Sequence, residues 1–143
     1  MLYHILQKFH SGWAYLVFLL LILVVVNSTL GLLSKSKFTN FNRKVALFGL
    51  IAVHTQLLVG LILYFVSPLG FAALGNMSDK ALRLTSLEHP VTNLLAIALI
   101  TVGWVRHKKA ATDSAKFLSI NLFYALGLLL ITTMIPWELW FTK

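Results

Sequence analysis

The chain has 143 residues, 59% of them hydrophobic and only 11% charged, with a formal net charge of +8. Soluble domains carry about a quarter charged residues, so this composition excludes an ordinary soluble domain, and the length allows one domain. The positive charge sits in short clusters between long apolar runs, which points to loops flanking membrane spans and not to nucleic acid, and the absence of cysteine excludes disulfides, iron–sulfur clusters and thiolate catalysis.

Four stretches are long enough to cross a bilayer, which takes about 20 mostly apolar residues. Trp13 to Leu33 carries no charge, and its apolar run is longer than the roughly 7–15 residues of a leader peptide, with no small-x-small site after it. Val45 to Val66 contains His54 as its only potentially charged residue. The third apolar run, Pro90 to Val105, is shorter, but Ser86 can cap a helix over 87–107. The fourth is Phe117 to Pro136. The spacing predicts an all-α membrane protein: one up-down-up-down bundle of four transmembrane helices at about 13–33, 45–66, 87–107 and 117–136.

Lys and Arg placement orients the chain. Lys35, Lys37, Arg43 and Lys44 follow the first span, and Arg106, Lys108, Lys109 and Lys116 follow the third. The other side holds Lys8, Lys80, Arg83 and Lys143, offset by Asp79, Glu88 and Glu138. The positive-inside rule then puts the basic loops in the cytoplasm and both termini outside. Trp13, Tyr64, Trp104, Trp137 and Trp140 lie near span ends, where amphipathic aromatics favour the interface. The long outer connection, Pro68 to Thr85, opens with Pro68, Gly70 and Gly75, which break the second helix; from Ser78 onward it is mildly amphipathic.

The two hairpins resemble each other faintly. Each starts with a histidine, His10 or His89, and each second helix carries Gly-Leu ahead of a proline: Gly60-Leu61 with Pro68, Gly127-Leu128 with Pro136. A repeat of this kind implies a pseudo-two-fold axis along the membrane normal; chance likeness of two apolar hairpins explains it equally well.

Polar residues inside spans are costly and mark candidate sites. Here they are His54, Gln56, Asn27, Asn93, Asn121 and some hydroxyls, with no carboxylate among them, which argues against a proton pump or sodium carrier. Histidine is the remaining chemistry. His10 and His89 begin spans one and three, share a depth, and sit on helices that are diagonal in such a bundle. Two imidazoles so placed are what a haem iron needs for its axial ligands. His89, Asn93, Ala96, Ile100, Gly103 and His107 form one helix face, small or polar enough to face protein and to leave space for a flat ligand; close helix packing by Ala96 and Gly103 is the simpler alternative. Lys80, Arg83 and Lys8 are candidate cations for haem propionates, or ordinary solvated charge. His54 lies roughly 18 Å below the outer end of its span, too deep to share an iron with the other two. Gly49, Ala52, Gln56, Gly60 and Ser67 occupy the opposite side of that helix. One of these two faces must therefore look out of its hairpin, which suggests a homo-oligomer.

The chain resembles the short four-span bacterial membrane proteins catalogued as cytochrome b-like. The likeness rests on His10-Ser11, the run from His54-Thr55-Gln56 to Ser67-Pro68, Asp79-Lys80-Ala81-Leu82-Arg83, and Leu87-Glu88-His89-Pro90. It implies a b-type haem and electron transfer, with His10, His54 and His89 as the positions onto which ligation carries over; in a bacterial inner membrane the charge-based orientation makes both termini periplasmic. The leading expectation is a haem b subunit that passes electrons between a quinone and a partner, rather than an enzyme alone. The second is a non-catalytic scaffold or assembly subunit of a respiratory complex. The third is a copper site of His10, His89 and Met77, since imidazole and thioether suit copper.

Overall fold

The structure is a computed structural model and describes residues 1–141. Four long helices account for most of it: α1 (Leu2–Leu33), α2 (Asn40–Val66), α4 (His89–Lys109) and α5 (Asp113–Thr133). Two short helices complete the set, α3 (Lys80–Arg83) and α6 (Trp137–Phe141). All four long elements meet the length and hydropathy of a membrane span, with α3 and α4 running together as Lys80–Lys109. The protein is a multi-pass, all-α membrane protein. Lys143, counted above with the histidine-end charges, lies outside the described residues.

The helices alternate in direction, and each packs on two neighbours: α1 on α2 and α5, α4 on α5 and α2. The diagonals are α1–α4 and α2–α5. Small residues set the approach. A Cβ on Gly31 would run into the Phe117 ring, one on Gly49 would lie 2.9 Å from Val24 Cγ2, and one on Gly103 would lie 2.6 Å from Phe123 Cβ. Lipid tails are as apolar as leucine, so membrane helices associate by such close packing and by interhelical hydrogen bonds. Those bonds are present. Asn121 Nδ2 donates to Thr29 Oγ1 (2.7 Å) and Ser28 Oγ (3.1 Å), Asn42 Nδ2 to Asn27 Oδ1 (3.0 Å), and the Tyr124 hydroxyl to the Ala46 carbonyl (2.9 Å). Asn27 and Asn121 are thus joints between helices. The outward shell is apolar on every span: Leu19, Phe48, Leu58, Leu95, Leu118 and Leu129 are all more than half exposed. In water that shell would be an aggregation surface; in a bilayer it is the solvent-facing side.

Helices α2 and α5 begin at Asn40 and Asp113, a turn or more before the apolar runs at 45 and 117, and two helix starts differ more from the sequence reading. Helix α1 begins at Leu2, eleven residues before Trp13. At about 1.5 Å per residue, this adds three turns beyond the apolar run. The third span does not start from a Ser86 cap. Asp79 caps α3 by accepting from the backbone N–H groups of Ala81 and Leu82, and the chain then passes through a π-helical turn, Leu84–Glu88, straight into α4. Ser86 lies inside that turn, buried, with its hydroxyl unpaired.

Candidate functional site

The histidine end of the bundle encloses a cavity of about 400 Å³, within the roughly 300–1,000 Å³ of small-molecule sites. Residues of α1, α2, the π-turn, α4 and the α5–α6 corner line it. It exists because the tight seams lie at the other end. Gly103 meets the Ser119 carbonyl and Phe123, and Gly127 meets Ile100 and the Ala96 carbonyl, so α4 and α5 are closed along most of their length. Of the polar face expected to leave room for a flat ligand, only the His89–Asn93 end borders the cavity; Ala96 and Gly103 are fully packed. Several wall residues are also exposed, among them Leu61 and Phe65 on α2 and Val91 and Leu94 on α4. The cavity therefore opens sideways between α2 and α4, toward lipid.

His10 and His89 face each other across it. Their ring centroids are 6.3 Å apart and the ring planes cross at 79°. Two imidazole nitrogens, each about 2 Å from one metal, place their ring centres roughly 6 Å apart, so the spacing suits a shared ion. His89 is oriented. Its Nδ1 lies 2.9 Å from the Met134 carbonyl, which can only accept, so Nδ1 carries the proton and Nε2 keeps its lone pair. The Asn93 amide donates to the His89 backbone carbonyl (2.7 Å) and holds the same turn. Glu88, next to His89 in the chain, does not touch this ring; it is engaged with the Arg83 guanidinium at 2.8 Å.

His10 rests on Gly60. A Cβ there would lie 3.1 Å from His10 Cε1, so the glycine is the floor that lets the ring lie flat against α2. Gln56 Nε2 donates to the His10 carbonyl at 2.9 Å. His10 Nδ1 and Gln56 Oε1 are both buried without a hydrogen-bond partner, as is Ser86 Oγ. All three belong to residues lining the one cavity. Buried polar atoms are nearly always paired, so three orphans around one space mark it as built for a ligand with polar or coordinating groups. Tyr64 completes the wall by donating its hydroxyl to the Ser86 carbonyl (2.9 Å), and π-turns of this kind recur at functional sites. From the sequence, Gln56 is an intramembrane polar residue and Ser86 a helix cap, while Tyr64 and Gly60 are an interfacial aromatic and part of a small-residue stripe.

The remaining candidates lie apart. His54 points at α4, with Nδ1 2.8 Å from the Leu50 carbonyl and Nε2 3.4 Å from Thr101 Oγ1; it does not line the cavity. The stripe of Gly49, Ala52, Gln56 and Gly60 faces α1 instead. Since α2 sits between α1 and α4, both faces are covered within one chain, and the argument for a neighbouring subunit loses its premise. Lys80 and Arg83 do not line the cavity either; Arg83 is held by Glu88 and the Met77 carbonyl (3.0 Å). Met77 is likewise outside it, which separates it from the two histidines. The hairpin likeness also loses register: Gly60 meets the histidine that opens α1, whereas Gly127 meets Ala96 and Ile100, two to three turns past His89.

No family model matches this chain, and neither a curated protein nor a solved structure was found similar to it. The function therefore has to be argued from the cavity itself.

Among the described residues no group of three or more His, Asp or Glu side chains could hold a metal ion. A bare copper or zinc ion wants three or four protein ligands, and the cavity offers two. Two opposed imidazoles fit a metal that brings its own equatorial donors, as haem iron does. The apolar walls suit a macrocycle's faces. Polar groups of α1 beside His10 that line the cavity are Tyr3, Gln7 and Ser11, neutral where the sequence suggests cations.

Proposed function

We propose that this protein is a b-type haem-binding membrane subunit in electron transfer, and that His10 and His89 would hold the haem. The observation that carries the reading is the 6.3 Å separation of the two rings on diagonal helices, beside a cavity where three buried polar atoms lack partners. Bound there, the haem supplies one-electron redox chemistry at its iron. The protein's own residues do the rest. The Met134 carbonyl holds His89 in the tautomer that presents Nε2, the second-shell device that metal-ligating histidines share. Gln56 fixes the backbone of His10 and offers Oε1 as an acceptor on a residue already bonded to it. The closed α4–α5 seam keeps water from entering along the bundle axis, while the gap between α2 and α4 admits a lipid-soluble redox partner such as a quinone. The basic end faces the cytoplasm of the bacterial inner membrane by the positive-inside rule, which puts the haem cavity at the periplasmic side.

The test is a reduced-minus-oxidised absorption spectrum of the protein purified in detergent. The expected result is a b-type haem signal, lost in His10→Ala and in His89→Ala and retained in His54→Ala. A signal lost only in His54→Ala would move the site to the α2–α4 seam. A parent protein that neither carries nor takes up haem would overturn the reading in favour of a membrane scaffold.

A further inference from the structure

The basic end of the bundle has a concavity of its own, about 370 Å³, and three helices bring cations to it: Arg43 from α2, Lys108 from α4 and Lys116 from α5. No carboxylate lines it. Asp113 is the single acidic residue near this end, against eight Lys and Arg, and among the described residues no ion pair joins these eight to a carboxylate. Two of the cations are nevertheless held in place. Arg43 and Lys108 lie 5.8 and 5.7 Å from the centre of the buried Trp104 ring, within cation–π range. Gathering like charges around one space without a counterion is unfavourable unless an anion fills it.

A second observation points the same way. His107 lines the concavity and is only 2% exposed, and apart from the Trp104 backbone on its own helix no protein group satisfies its buried Nδ1. Its ring is fixed between Trp104 and Phe38, with centroids 4.5 and 5.5 Å away, so it cannot turn out to water. The first turn of α2, a 27-residue helix, opens on the concavity at Thr39 and Asn40; the Thr39 N–H is taken by Asn42 Oδ1 at 2.8 Å, and what the helix start adds is the positive end of its dipole.

We propose that this concavity binds the phosphate of an anionic phospholipid. Phosphate chemistry follows from the three cations, the buried imidazole and the helix start. A lipid source follows from position. The site lies where the spans emerge from the apolar layer, and Leu33 and Phe41, 76% and 66% exposed, offer apolar surface at the same end for acyl chains. Basic pockets between helices at a membrane face are established headgroup sites.

The test uses the full chain, delipidated in a neutral detergent and titrated with phosphatidylglycerol, phosphatidylcholine or inorganic phosphate. Melting temperature and native mass spectrometry are the readouts. Phosphatidylglycerol is expected to raise the melting temperature and to survive as a bound adduct, and phosphatidylcholine to do neither. The double variant Arg43→Gln/Lys108→Gln should bind phosphatidylglycerol roughly 25-fold more weakly, at about fivefold per charge. Lys35→Gln/Lys37→Gln, which removes the same charge outside the concavity, should bind within about twofold of the parent. Lys116→Gln alone should weaken binding roughly fivefold, which keeps the test open if the double variant does not fold. Equal weakening in both double variants, or equal binding of phosphatidylcholine, would reduce the effect to general surface charge and overturn the proposal. Inorganic phosphate that stabilises the parent as well as the lipid does, and displaces it, would overturn the lipid source in favour of a free anion.

Discussion

Gly60 shows how much one missing side chain decides. The His10 ring lies where the γ carbons of a β-branched residue on α2 would have to be, with only 3.1 Å to a hypothetical Cβ. Gly60→Val should therefore push the imidazole away from His89 and abolish the haem signal, while the Gly49 and Gly103 seams keep the bundle folded. A variant that retains the full reduced-minus-oxidised spectrum would show that the ring's position on α2 is immaterial. His54→Ala is the contrasting case. It loses contacts to the Leu50 carbonyl and Thr101 Oγ1, so it should cost about 1 kcal/mol of stability and leave the spectrum untouched. The sequence carried the pairing of His10 with His89, because both open helices of the same direction and so share a depth. It did not carry the tautomer of His89, which is set by a backbone carbonyl 45 residues away. Nor did it separate Arg83 from the site: proximity to His89 in sequence suggested a propionate clamp, and the π-turn instead sets Arg83 against Glu88.

Among the helices, α4 is the informative one. Its inner two-thirds is a packing surface, and the contact at Gly103 is tight enough that even a methyl would meet Phe123 Cβ at 2.6 Å and the Ser119 carbonyl at 3.0 Å. Gly103→Leu should lower stability by about 1–3 kcal/mol or more, read as a drop in melting temperature in detergent. An unchanged melting temperature would mean that α4 and α5 are not in register as described. The outer end of α4 is set differently. The π-turn leaves the Ser86 carbonyl to Tyr64, so Tyr64→Phe should loosen the turn that aims His89. The expected outcome is a weaker or shifted haem signal with little loss of overall stability. A π-turn has no sequence signature to speak of, since its residues have ordinary helical propensity. That is why Ser86 read as a cap, a role that belongs to Asp79 eight residues farther from the apolar run than the predicted start at Leu87.

At the scale of the whole molecule, the fold was legible because the bilayer leaves few choices. Backbone polar groups must be paired internally, so long apolar runs become helices, and short basic links force hairpins. What composition could not supply is the uneven closure of the bundle: tight where Gly31, Gly49, Gly103 and Gly127 sit, open toward His10 and His89. The two ends also differ in charge, with eight Lys and Arg at one and three of the four carboxylates at the other. This asymmetry is the basis for orientation, since translocation of Lys and Arg is disfavoured. Ser36 and Ser78 are exposed at opposite ends, and the chain has no native cysteine to confuse labelling. In intact spheroplasts a membrane-impermeant maleimide should react with Ser78→Cys and not with Ser36→Cys, and lysis should expose the second. Reaction of both from one side would break the four-span topology itself. The reverse pattern would keep the bundle but place the histidine cavity at the cytoplasmic face, and with it any redox partner that cavity serves.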